Sequence, residues 1–177
     1  IVGAEPPAIK AGSTLLTGFS PQDLAFVVGR HLAYYRPEHF IRRIFASHTE
    51  IKMVLLAGLR IAGIGAADPN VDQWAQQLLT KMTQPQIDAL RNVARKFVEA
   101  GGNADIKAWM QQVELTSCRA GFLMANDLEV AARMIQQLPP EGTTDVAPKD
   151  KIKELVLFSV SEQYFRLREA LGIQIQV

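Results

Sequence analysis

The chain has 177 residues, 48% of them hydrophobic and 21% charged, which is the make-up of a folded domain with its own core and not of a disordered segment. With 19 basic and 18 acidic residues the net charge is +1, so there is no electrostatic footprint for a nucleic-acid partner. The single cysteine, Cys118, excludes an intrachain disulfide and a cysteine-rich zinc site, and it suits a reducing, cytoplasmic setting.

No apolar run reaches the roughly 18–20 residues of a membrane span; the longest apolar-rich stretch, 53–64, is interrupted by Arg60. The chain begins at Ile1 without a signal-peptide pattern and reads as a piece of a longer protein. Short extended pieces are expected at 8–10 and 14–17. Ser20-Pro21-Gln22-Asp23 then predicts a helix over 21–36, with Ser20 as N-cap, Pro21 in the first helical position and Asp23 as the capping acid. Leu24, Val27, Val28, His31, Leu32 and Tyr35 follow its helical spacing. Pro37 breaks that helix, and 38–45 predicts a short second piece. Ser47 and Glu50 form a capping box for a helix over 49–63 that is apolar nearly all round and therefore central.

A loop at 66–70 precedes predicted helices at 71–81, 84–100 and 105–124, with Thr83, Gln86 and Asn103 as capping residues. Asn126-Asp127 opens another helix through 137, and 139–148 is linker-like. One last helix is expected over 149–171, ending at Gly172, and 173–177 alternates as a terminal strand does. The whole predicts a mainly α fold: one compact helical domain over 1–177 with minor β at the termini.

Few residues offer chemistry. His31, His39 and His48 lack the i, i+4 spacing that places two imidazoles on one helix face, and Pro37 separates the first two. A metal site built from them needs tertiary approach. No GxSxG, P-loop or GxGxxG motif occurs. Cys118 reads as a small buried core residue in preference to a nucleophile, Tyr34-Tyr35 as a packing and hydrogen-bonding element, and Arg42-Arg43 as a solvated face.

Two segments carry a family resemblance: STLLTGFSPQDLAFVVGRHLAYYRPEH at 13–39 and WMQQVELTSCRAGFLMANDLEVAARMI at 109–135. Together they resemble the HtpX-like zinc metallopeptidases, the gluzincins. In that family an extended lead-in precedes a helix bearing HExxH, and a later helix bears a glutamate ligand. Trp109, Glu114, Leu115, Arg119, Ala120 and Gly121 fall in the order and spacing of that later helix. The resemblance implies a metallopeptidase-like fold whose site has degenerated. Arg30, His31 and Tyr34 stand where His, Glu and His of HExxH belong. Glu114 stands at the third ligand, Cys118 at the aspartate four residues on, and Ser161-Glu162 in place of a late His-Pro. Shifting the frame by one puts His31 on the first ligand position, with Leu32 and Tyr35 at the other two, and still fails.

Zinc acidifies its bound water and the glutamate takes the proton; without them that chemistry has no basis. The stretches GRHLAYYRPEH and LFSVSEQYFRLREALG are also similar to the C-terminal domain of large deltaproteobacterial tetratricopeptide-repeat proteins.

The implied molecule is a pseudo-peptidase domain with no catalytic residues, no metal and no cofactor. It would act as a scaffold or protein-binding module for other parts of the parent chain or for a separate protein partner. The vestigial metal site would comprise Arg30, His31, Tyr34, Glu114 and Cys118. A buried carboxylate that has lost its metal needs a compensating charge, so Arg30 is expected to pair with Glu114 inside the fold, with His31 and Tyr34 bonding nearby. The competing arrangement turns Arg30 outward and pairs Glu114 with Arg119 or Lys107. Two other functions stay open: a metal-dependent hydrolase using His31, His39 or His48 with Glu114, and a structural cap on a helical repeat array.

Overall fold

Helix starts in this chain follow side-chain oxygens placed to receive the first free amides. The computed structural model describes residues 12–13, 17–138 and 146–173. Helix α1 is Pro21–Leu32, where Ser20 Oγ accepts from the Asp23 amide and the Asp23 carboxylate accepts from the Ser20 amide. A 3-10 turn, Ala33–Tyr35, and the short α2, Ile41–Ile44, come next. Helix α3 is His48–Ile61, opened by the reciprocal Ser47–Glu50 box. Helices α4, Pro69–Leu79, and α5, Gln84–Glu99, are capped by Asp68 and by the Thr83–Gln86 exchange. Then come α6, Ile106–Ala125; α7, Leu128–Gln137, capped by Asp127; α8, Pro148–Ser159; and α9, Glu162–Ala170, capped by Ser161.

All regular structure among the described residues is helical. The extended piece expected at 8–10 lies outside those residues, as do 14–16 of the piece expected at 14–17 and 174–177 of the strand expected at 173–177; Thr17 is described and lies in a bend. Ile173 is described and bears no strand; its carbonyl accepts from Arg168 Nη2 at 2.7 Å.

Two other expectations change. The last helix is two helices, because Ser161 accepts from the Tyr164 amide and restarts the chain after Val160. The loop at 66–70 is partly helix, because Asp68-Pro69 repeats the cap-then-proline grammar of Ser20-Pro21.

The chain packs as two compact units. One is Phe45–Met110. There α3 packs against both α4 and α5, as its apolar circumference predicted. Ala57, Ile61 and Ala75 form one core with Trp74, Leu78 and Leu90, and Ile51, Ile106 and Met110 form another. Arg60 Nε meets Asp72 Oδ1 at 2.5 Å between α3 and α4.

The other unit joins the described residues up to Ile44 with those from Gln111 on. Its core gathers Phe26, Cys118, Phe122, Met134, Leu155, Phe158 and Tyr164, with Phe122 stacked on Tyr164 at 4.9 Å. Fully burying side chains such as Phe26, Met134 and Leu155 stabilises the fold by about 1.5–3 kcal/mol each. At the end of α6, Asn126 takes a positive φ of 53° and turns the chain into α7. Its side-chain oxygen accepts from the Tyr164 hydroxyl at 3.0 Å, which ties that turn to α9.

Glycine sets how closely α1 and α6 approach. A Cβ on Gly29 would lie 2.8 Å from the Ala120 carbonyl oxygen, and one on Gly121 would lie 2.7 Å from the Phe26 carbonyl oxygen. Backbone meets backbone, so only glycine fits on each side of this crossing. The crossing also selects the buried face of α1. That face is Asp23, Phe26, Gly29 and Arg30, continued by Ala33 and Tyr34, whereas Val28 and Leu32 from the apolar spacing are exposed.

Candidate functional site

The buried stripe of α6 runs Met110, Val113, Glu114, Ser117, Cys118, Phe122 and Ala125. Steps of three and four keep these residues on one helix face. Glu114 therefore sits in the middle of an apolar stripe at 1% exposure. Burying a carboxylate there is costly unless charge and hydrogen bonds answer it. Three side chains do so. Arg30 Nη2 lies 2.6 Å from Oε1, Lys151 Nζ lies 2.6 Å from the same Oε1, and the Tyr34 hydroxyl donates to Oε2 at 2.8 Å.

Each partner is placed by its own helix. Arg30 follows Gly29, so the close crossing brings the start of its side chain against α6. Tyr34 lies four residues after Arg30 and one turn along the same face. Lys151 shares the inner face of α8 with Leu155 and Phe158, at i, i+4 and i+7. Ser117 Oγ donates to the Glu114 backbone carbonyl at 2.7 Å, so this buried hydroxyl is satisfied locally.

The electrostatics follow from this geometry. Burial alone would raise the Glu114 carboxyl. The Arg30 charge, with the hydrogen bond and charge of Lys151 and the Tyr34 hydroxyl, overcomes it and holds the group below the usual carboxylate range. One turn on, burial pushes the Cys118 thiol up to about 11, and the neighbouring Glu114 charge works in the same direction. A thiol that is fully buried and held protonated is a core residue, not a nucleophile.

The pair expected between Arg30 and Glu114 is therefore present, and the outward alternative is not. Arg119 is committed elsewhere, to Glu154, and lies over the Phe158 ring. His31 is half-buried and edge-on to Tyr35, with ring centroids 5.5 Å apart. His39 is buried with Nδ1 2.9 Å from the Ala33 carbonyl oxygen, and His48 is exposed at the first position of α3. Ser161 caps α9, and Glu162 pairs with Arg166 at its surface. The arginine pair differs from expectation: Arg43 is exposed, but Arg42 is buried and belongs to no solvated face.

The residues present do not fit zinc. Both oxygens of Glu114 already accept, and two of the three donors are cations that would repel a metal ion. Among the described residues, no group of three or more His, Cys, Asp or Glu side chains is placed to hold one. No helix of the described residues is long and apolar enough to cross a membrane.

Sequence reasoning missed Lys151. Its signal was a lysine in phase with Leu155 and Phe158, a charged residue on the apolar stripe of its own helix. Arg30 and Glu114 give the same signal in theirs. No protein-family model, curated protein or solved structure matches the chain, so the architecture and this buried polar cluster stand on their own geometry.

Proposed function

We propose that the chain is a non-catalytic helical module that binds or scaffolds protein, a degenerate relative of the HtpX-like peptidases whose metal site has become a structural ion cluster. One observation carries the reading. The Glu114 carboxylate, which the resemblance makes a former ligand, spends both oxygens on Arg30, Lys151 and Tyr34. A carboxylate held so can neither bind a metal nor take a proton in the neutral range. Elemental analysis of protein purified without chelator or metal-affinity steps tests it. Below about a tenth of an equivalent of zinc per chain is expected, and close to one equivalent overturns the reading and returns the histidines to the role of ligands.

A second reading, a structural cap that ends a helical array, has its own support. Leu157, Val160, Phe165 and Leu171 on and just after α8 and α9 are each more than half exposed. A concentration of apolar side chains in one short region is how a module meets a neighbouring helical element, either elsewhere in the parent chain or in a separate protein. Sedimentation of the chain across a concentration series separates the two. Self-association that is abolished by Phe165→Asp favours the cap, and a monomer throughout favours the first reading.

A further inference from the structure

A cavity of about 230 Å³ opens beside the buried cluster, lined among the described residues by Arg30, Ile135, Gln136, Leu138, Val146, Pro148 and Lys151. Its lining is of two chemical kinds. The charged part is Lys151, 6% exposed, and Arg30, 4% exposed. The other described lining residues are aliphatic apart from Gln136, which is exposed at the rim. An ammonium carries three donor hydrogens, and Lys151 gives one of them, to Glu114 Oε1. That oxygen also accepts from Arg30. A buried ammonium with donors to spare, facing a cavity, is matched by a further anionic oxygen.

We propose that this cavity binds a short-chain carboxylate, its head on Lys151 and its carbon tail along Ile135, Leu138 and Val146. The volume supports that class. At the roughly 30 Å³ that a water takes in the liquid, the cavity has room for about seven non-hydrogen atoms, enough for a carboxylate with a tail of a few carbons. The aliphatic wall gives the tail a place to lose water, which a bare inorganic oxyanion would not use. This site requires neither a metal nor the peptidase kinship, so its fate is separate from that of the proposed function.

Butyrate is the probe, titrated into the full chain and followed by calorimetry and by amide chemical shifts. Saturable binding is expected, with shifts centred on 135–138 and 146–151. Lys151→Met should weaken it by about tenfold or more, the value of one charge-assisted hydrogen bond. The variant retains the Arg30–Glu114 pair and should still fold. Gln136→Trp, placed at the exposed rim, should block entry with no loss of thermal stability. Absence of saturable binding up to about 10 mM butyrate, a very weak affinity, overturns the proposal. So does equal binding of butanol, tighter binding of inorganic phosphate, or butyrate binding that both variants leave unchanged.

Discussion

Glu114→Gln keeps the shape of the side chain and removes its charge. Two cations then remain 2.6 Å from a group that no longer neutralises either of them. Stranding a buried charge costs about 3–5 kcal/mol, and Glu114 is the anion that both cations meet. Arg30→Met is the informative comparison. It leaves Glu114 facing Lys151 and Tyr34, one charge against one, and forfeits a charge-assisted bond of about 1.5–3 kcal/mol. Removing the anion should therefore cost more than removing either cation, although all three are comparably buried. For a chain of this size about 1 kcal/mol moves Tm by roughly 2–4 °C, so Glu114→Gln should lower it by about 6–20 °C. Urea titration followed by circular dichroism gives the free energies.

The same variant predicts a pH dependence. In the folded state the Glu114 carboxyl lies below its ordinary value of 4.5. Its stabilisation is therefore complete above that value and is lost as pH falls through the lower folded pKa. The gap between wild type and Glu114→Gln should stay constant down to about pH 4.5 and close only below it. A Glu114→Gln cost under about 1 kcal/mol, or an Arg30→Met cost exceeding it, would falsify the view that one carboxylate neutralises two cations.

Other outcomes follow from the helix contacts. Gly121→Ala should destabilise by about 1–3 kcal/mol, because its Cβ meets the Phe26 backbone. Gly58→Ala, whose nearest neighbour is Leu90 Cδ1 at 3.7 Å, should be neutral or stabilise by up to about 1 kcal/mol; thermal denaturation compares the two. Cys118 should resist a thiol reagent at neutral pH in the folded protein and label fully in denaturant; rapid stoichiometric labelling of the native chain would contradict its burial. Ser161→Ala should cost about 1 kcal/mol by removing the α9 cap, read from the urea midpoint.

Helix starts were legible because they depend on neighbours in sequence: Ser20 with Asp23, and Ser47 with Glu50, declare themselves within four residues. The break at Ser161 was hidden because 149–171 has no proline or glycine inside it, and a serine alone does not say which way it caps. The buried face of α1 was hidden for a different reason. Hydrophobicity favours Val28 and Leu32, but a glycine contact with another helix decides the face, and that contact spans about 90 residues of sequence. Arg30, Glu114 and Tyr34 could be inferred together, since a carboxylate buried without a metal needs a compensating charge. A count of charges could not show that it would take two, one of them from α8.

The shared oxygen of Glu114 has a consequence for how this chain can vary. Arg30, Glu114 and Lys151 come from three helices separated widely in sequence, but their charges are solved together. An apolar residue at 114 takes the shared anion from both cations. An apolar residue at 30 or 151 alone leaves a neutral pair. Buried ion groups can be exchanged for apolar packing when the whole group goes at once. In related chains, position 114 should therefore become apolar only where positions 30 and 151 have both lost their charge, whereas either cation may be lost on its own. A mutational path out of this cluster therefore runs through a single neutral pair: one cation leaves first, and the remaining cation and the carboxylate leave together.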